Sequence, residues 1–355
     1  MSQTAQRPTG PSDSGANARG SARPTLEEVA ALAGVGRGTV SRVINGSPRV
    51  SDRAREAVQT AIAELGYVPN RAARTLVTSR TDSIALIVPE AETRLFSEPY
   101  FSDIISGVAA ELSETDMQLL LILVRNRRER DRLSAYLTAG RVDGVLLVAV
   151  HQDDPLPGLL ESLEIPSVLA GRRSDQEPLS YVHADNAGGA RMAVRHLLRR
   201  GCEQVATITG PLDMEVARAR LGGYRTALEE AGRAYDEDLV MLADFTEEGG
   251  RLAMRELLVR RPELDAVFCA SDVMAAGAMQ ELRAAGRRVP DQVAVIGFDD
   301  SIVARHTDPP MTSVRQPIEE MGRTLARLLL DEITERGRAR RQVVLATELV
   351  VRDSA

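Results

Sequence analysis

The sequence predicts an α/β fold: an N-terminal three-helix domain with a hinge helix, then two doubly wound parallel-sheet lobes. Three observations carry this. At 355 residues the chain is too long for one ordinary core and suits a small domain joined to a bilobed larger one. Residues 22–80 hold nine arginines against five acidic residues, whereas residues 81–355 net −12, so a basic head precedes an acidic body. From residue 82 onward, short Val/Ile/Leu runs alternate with amphipathic helical periodicity, and this order occurs twice.

The head is read first. Residues 1–23 are rich in Ser, Gly, Ala, Pro and Thr and contain no apolar stretch. They read as a disordered tail rather than a secretory signal, which places the chain in the cytoplasm. Thr25-Leu26-Glu27-Glu28 has the pattern of a capping box, with Leu26, Val29, Ala30 and Ala33 on one helical face and Gly34 as the left-handed stop. Gly34-Val35-Gly36 forms a tight turn into a second helix over 37–44, apolar at Val40, Val43 and Ile44. Ser51 caps a third helix, with Ala54, Val58, Ala61, Ile62 and Leu65 inward and Gly66 as its end.

Two short helices across a three-residue turn, followed by a third, form the helix-turn-helix pattern. In that pattern the second helix offers its first polar residues to base edges. Arg37 and Arg42 are the candidates for bidentate guanine readout, while Thr39, Ser41, Asn45 and Ser51 can hydrogen-bond phosphate or base. A plain three-helix bundle with a solvated polar face satisfies the same pattern. The following run, Tyr67-Val68-Pro69-Asn70-Arg71-Ala72-Ala73-Arg74-Thr75-Leu76, leaves barely two helical turns after an Asn70 cap, too short to be stable alone in water. It needs a second copy or DNA to order it.

The run from Thr25 to Leu76, with Val40-Ser41-Arg42-Val43-Ile44-Asn45-Gly46 and Tyr67-Val68-Pro69-Asn70…Ala73-Arg74-Thr75-Leu76, resembles the LacI/GalR family of bacterial repressors. The resemblance implies a DNA-contact set of Thr25, Arg37, Gly38, Thr39, Ser41, Arg42, Asn45, Ser51, Asn70, Arg71, Ala73, Arg74 and Leu76. Within it Leu76 corresponds to the hinge leucine that wedges into the minor groove at the operator centre. Gly36 stands where many relatives have Ser, and Gly38, inside the recognition helix, has no side chain to read a base. Arg37 is therefore expected to carry most of the operator choice.

In the body, strands are predicted near 84–89, 118–124, 144–150, 167–170 and 181–183, then near 204–209, 239–243, 266–270 and 293–297. A helix over 100–114 buries Phe101, Ile104, Ile105, Val108, Ala109 and Leu112. Continuous apolar strands between helices imply parallel sheets covered on both faces, with a cleft at the strand C-termini. The family resemblance extends here through Asp185-Asn186-Ala187-Gly188-Gly189-Ala190, Gly297-Phe298-Asp299-Asp300 and Pro309-Pro310-Met311-Thr312-Ser313-Val314-Arg315-Gln316-Pro317. It implies a core similar to periplasmic sugar-binding proteins, with chain crossings near 183–185, 313–317 and 338–343. The expected organisation is a tail (1–23), a DNA-binding domain (24–69), a hinge (70–81) and a core (82–355). Lobe 1 takes about 82–183 and 316–340, and lobe 2 about 184–315 and 341–355.

Carboxylates, guanidinium groups and aromatic faces at strand ends suit sugar hydroxyls and C–H faces. Aligned to the family, the effector candidates are Arg220, Phe245, Ser271, Asp272, Asp299 and Gln316, joined by Phe96, Tyr100 and Phe101 after the first strand and by Arg172. Asp272 and Asp300 also read as structural caps. Aromatic residues make up 3% of the chain, with no Trp, which favours a mono- or disaccharide over a long oligosaccharide. A purine or nucleoside corepressor is the alternative.

Other functions fit less well. The sequence has no phosphate loop, dinucleotide-binding glycine motif or nucleophile elbow, so an enzyme is not expected. A transport binding protein would need neither the basic head nor a cytoplasmic address. No membrane-spanning apolar run occurs. Cys202 and Cys269 are expected as free thiols, and His151, His183, His196 and His306 lack metal-ligand spacing, so neither metal nor cofactor is expected. The implied partners are a near-palindromic double-stranded operator, a small-molecule effector that most relatives use as an inducer, and a second copy of the chain.

Overall fold

In the computed structural model, residues 24–44, 46–68, 80–90, 92–174, 176–335, 337 and 339–355 are described. The tail, Asn45 and the hinge positions Asn70, Arg71, Ala73, Arg74 and Leu76 lie outside these residues. The chain divides into two units, residues 1–79 and 80–355.

In the first unit, helix α1 (Leu26–Ala33) begins with the full capping box: the Thr25 hydroxyl accepts from Glu28 N–H and the Glu28 carboxylate accepts from Thr25 N–H. Gly34, at φ 64°, ends it in the left-handed conformation that a glycine adopts without steric cost. Helix α2 (Arg37–Ile44) follows, then α3 (Asp52–Leu65), which Ser51 caps. Val29, Ala30, Val40, Val43, Val58 and Ala61 close a small core. Tyr67 is also buried in it, a role the motif reading did not give that residue.

The second unit holds two six-stranded sheets. The first comprises β1 (Ser83–Val88), β2 (Gln118–Leu123), β3 (Gly144–Val148), β4 (Ser167–Ala170), β5 (Ser180–Ala184) and β11 (Gln342–Leu345), in the order β2-β1-β3-β4-β5-β11, all parallel. Alternate residues of β1 face opposite layers, as a pleated strand requires. Ile84, Leu86 and Val88 join Phe101, Ile104 and Val108 of α5 (Pro99–Leu112), behind the short α4 (Glu92–Ser97). Ala85 and Ile87 join Leu133 and Leu137 of α6 (Arg127–Thr138) and Leu156 and Leu160 of α7 (Leu156–Ser162). Burial on both faces is why these strands read as unbroken apolar runs.

The second sheet comprises β6 (Val205–Thr209), β7 (Val240–Leu242), β8 (Ala266–Cys269), β9 (Ala294–Asp299), β10 (Thr312–Arg315) and β12 (Glu348–Val350), in the order β7-β6-β8-β9-β10-β12; only β12 runs antiparallel to its neighbour. Helices α8 (Asn186–Arg199) and α9 (Glu215–Glu230) pack with Phe268 and Ile296 on one face. Helices α10 (Glu247–Arg260) and α11 (Asp272–Ala284) cover Ile208, Val267 and Val295 on the other, and α12 (Ile302–His306) follows β9.

The chain crosses between lobes after β5, after β10 and between β11 and β12. The long helix α13 (Ile318–Thr334) returns to lobe 1 and packs on α5 with glycine at the contact: a Cβ on Gly107 would overlap the Glu319 carbonyl, and one on Gly322 the Ile104 carbonyl. The third crossing corrects the expected boundary. Residues 342–345 pair with β5 and belong to lobe 1, so the chain crosses at 345–348 rather than 338–343. β11 sits at a sheet edge with alternate residues exposed, so its apolar run is too weak to announce a strand. No helix of the described residues is long and apolar enough to cross a membrane.

Candidate functional site

On the helix-turn-helix unit, the turn between α1 and α2 aims the start of α2 outward. Gly36 C=O accepts from Thr39 and Val40 N–H, which leaves Arg37, Gly38 and Arg42 exposed. Arg37 Nη1 lies 3.0 Å from Glu27 Oε1, and its side chain keeps 74% of its exposure. Arg42 Nε donates to Gly38 C=O at 3.0 Å, using the open space that the missing side chain leaves. Exposed pairs of this kind are cheap to exchange for phosphate or base. Thr39 and Ser41 are half-buried on the same helix. Thr25 and Ser51 use their hydroxyls as helix caps.

In the second unit, the C-terminal ends of both sheets converge on a cleft with about 760 Å³ of space free of protein atoms, counting the solvent open at its mouth. This is the switch point of both strand orders, between β1 and β3 and between β6 and β8, where doubly wound folds bind ligands. Its lining includes Tyr100, Phe101, Arg172, Arg220, Phe245, Ser271, Asp299 and Gln316 from the predicted set. Phe96 does not line it: it is 81% exposed, because α4 turns Leu95 inward instead. Asp272 does not line it either. It is fully buried, accepting from Ser301 N–H at 2.7 Å and from Ser313 Oγ at 2.6 Å. Nor does Asp272 cap α11; Ser271 does, accepting from Met274 N–H. A Cβ on Gly297 would overlap the Asp272 carboxylate, so that glycine makes room for the anchor. Asp300 is also a buried structural acid, paired with Arg315 and Arg352.

Arg220 is the centre of the lobe-2 wall. Its Nε donates to Asn186 Oδ1 at 2.9 Å, its Nη1 donates to Ala270 C=O and stands 3.8 Å from Asp299 Oδ1, and the guanidinium lies 3.7 Å over the Phe298 ring. Gln316 Nε2 donates to Asp299 Oδ1 at 2.6 Å, so the crossover itself orients the carboxylate. Burial pushes Asp299 up to about 6, against the opposing pull of Arg220 and Gln316. The backbone is strained at three lining residues: Ala149 (φ 57°), Phe245 (φ 66°) and Asp299 (φ 117°). Non-glycine residues held in this region cluster at functional sites. A Cβ on Gly210 would overlap the outer end of the Phe245 ring, so that glycine makes room for the ring at the end of β6.

Sequence reasoning placed Tyr100, Phe101 and Arg172 of lobe 1 in the cleft but missed the charged pair beside them. Arg94 of α4 lies 5.0 Å over Phe245 from the opposite lobe, with Nε donating to Glu98 Oε1 at 2.6 Å and Nη1 to Glu90. Burial raises Glu98 to about 7, although Arg94 opposes this. Asn186, His183, Met214 and Glu215 also line the cavity without having been predicted. His183 Nδ1 is buried with no hydrogen-bond partner among the described residues, and burial lowers the pKa of the ring, which favours the neutral form. Asn186 lay within a recognised motif; the others were signalled only by their place after strand ends.

A helix-turn-helix unit and a bilobed core with a polar cleft between its lobes define a ligand-controlled DNA-binding regulator. Residues 25–70 match the model of bacterial regulatory proteins of the lacI family, and residues 194–355 match the periplasmic binding protein-like domain. Among similar proteins, the HTH-type transcriptional regulator CelR of Thermobifida fusca is 56% identical over 334 residues, spanning 94% of this chain and 98% of that protein. A solved transcriptional regulator CelR–cellobiose complex is similar at TM-score 0.75 and 54% identity, covering 94% of this chain and all of the other. The lac repressor dimer bound to operator and the anti-inducer ONPF is similar at TM-score 0.82 and 27% identity, covering 94% and 99%. The chain belongs to the lacI family of bacterial transcriptional regulators.

Proposed function

We propose that this protein is a dimeric repressor of carbohydrate-utilisation genes, released from a near-palindromic operator when a small sugar fills the interlobe cleft. Cellobiose is the first candidate. The observation that carries the choice is whole-chain similarity to a regulator solved with cellobiose, at 54% identity. The cleft chemistry supports it: carboxylates (Glu98, Asp299), a guanidinium (Arg220), an amide (Asn186) and a neutral imidazole (His183) surround Phe245. These groups satisfy hydroxyls, and the ring covers a sugar C–H face. In the DNA contact set, Arg37 and Arg42 read bases and Leu76 wedges the operator centre, with Asn45, Asn70, Arg71, Ala73 and Arg74 supporting it.

The test is a thermal-shift screen of mono- and disaccharides, nucleosides and purines, followed by operator binding with and without the hit. Cellobiose is expected to raise the melting temperature by mass action and to weaken operator binding. A shift with a purine alone, or tighter operator binding with the hit, would overturn the sugar-inducer reading.

A further inference from the structure

His151 follows β3 at the rim of the cleft, with its side chain 31% exposed. Both ring nitrogens meet carboxylates from different lobes. Nδ1 stands 2.7 Å from Asp213 Oδ2 in the loop after β6, and Nε2 stands 3.0 Å from Glu90 Oε1 in the segment after β1. A neutral imidazole carries one N–H and can donate to only one of them. Holding both requires the imidazolium. The same Glu90 oxygen accepts from Arg94 Nη1, and Arg94 lines the cavity over Phe245.

We propose that His151 is a positioning residue for the effector response: as an imidazolium it clasps lobe 1 to lobe 2 and, through Glu90, sets Arg94 against the ligand, so that effector binding takes up a proton. This rests on the cleft being the effector site. The clasp lies on a seam of interlobe contacts. Gln152 N–H donates to Asp213 C=O at 2.8 Å, Arg218 Nη1 reaches Gln152 Oε1 at 3.1 Å, and Arg172 Nη2 lies 3.3 Å from Glu215 Oε1. The charged groups around the ring are Glu90 after β1, Arg94 of α4 sharing that carboxylate, Asp213 after β6, Arg218 of α9 beyond Gln152, and Asp153 on its own loop.

The sign follows from the two carboxylates. The hydrogen bond to Glu90, then that to Asp213, raises the ring from 6.5 to about 9, against the opposing effect of burial. Separating the lobes withdraws Asp213 alone, so the ring falls part of the way back while Glu90, on its own lobe, still raises it. The clasp is therefore complete below pH 6.5 and is lost as pH rises through about 9.

Two measurements on the full chain decide it. Calorimetric titration with cellobiose at pH 7.5, in phosphate and in Tris, is expected to show net uptake of a fraction of a proton, with Kd weakening several-fold (roughly 3- to 10-fold) from pH 6.5 to 9. His151→Gln should remove both. Buffer-independent heat in the parent protein, or uptake that persists in His151→Gln, overturns the proposal. The imidazole resonance of His151, assigned by its loss in that variant, should titrate near pH 9 with cellobiose bound and at lower pH without it; the same titration in both states removes the proton uptake, and ordinary titration in both overturns the clasp. Absence of any cellobiose heat removes the effector reading alone, and the ligand-free titration then decides the clasp.

Discussion

Arg220 is held by four partners in the cleft wall, so its role is to present a rigid donor rather than to reach for one. Arg220→Ala is expected to keep operator binding, to abolish the response to cellobiose, and to cost about 3 kcal/mol because Asp299 loses its counter-ion in a buried site. Operator binding with and without sugar, alongside melting curves, checks each part. Glu98 makes the opposite prediction. Its carboxyl is raised from 4.5 to about 7, so the folded state holds its proton longer than the unfolded chain does. Stability from this group is therefore highest below pH 4.5 and is lost as pH rises through 7. Glu98→Gln should melt higher than the parent at pH 8, by about 2 kcal/mol, and equally at pH 4.5. It should also weaken sugar binding, the usual exchange of stability for function at a site. A parent protein as stable at pH 8 as Glu98→Gln would reject the buried charge. Glu98 was illegible in the sequence for a physical reason: Glu90, Arg94 and Glu98 at i, i+4 spacing read as an ordinary solvated helix face. Only the fold brings that face under Phe245. Arg220 and Asp299, by contrast, sit in recognisable local motifs.

At the scale of elements, the legible parts were those with strong periodicity. The buried central strands announced themselves by unbroken apolar runs, and α1 and α3 by their caps. Short edge strands did not: β11 alternates exposed and half-buried residues, and pairing with β5, not its own composition, makes it a strand. The α5–α13 contact was equally hidden, because a glycine in a helix looks like a weakness until its partner is known. Gly107 and Gly322 let the crossover helix lie backbone to backbone on α5. Gly107→Ala should destabilise the core unit by about 3 kcal/mol, since the obstacle is a main-chain carbonyl that cannot rotate away. Gly222→Ala, on α9 with nothing within 4 Å of the added Cβ, is the control and should match the parent or gain stability slightly. Equal melting of the two variants would show that α13 can shift without cost.

For the whole molecule, the proposed function makes DNA binding and sugar binding two equilibria of one chain, and linkage fixes their relation whatever structural route joins them. If cellobiose lowers operator affinity by some factor, operator DNA must lower cellobiose affinity by the same factor, on the order of 5- to 150-fold for typical coupling. The basic head and acidic body make this testable only at fixed ionic strength. Arginine contacts to phosphate release counterions, so operator affinity falls steeply with salt, whereas an uncharged disaccharide releases none on entering the cleft. The expected result is one coupling factor from two experiments in the same buffer: operator Kd with and without saturating cellobiose, and cellobiose Kd with and without saturating operator. Counted over both clefts of the dimer the two factors must agree at equilibrium, so their size is the finding: a factor of one would mean that the sugar does not control DNA binding, and the induced repressor would have to be abandoned. Equal factors that collapse together in Arg220→Ala would place the whole of the coupling free energy on the cleft built around that guanidinium.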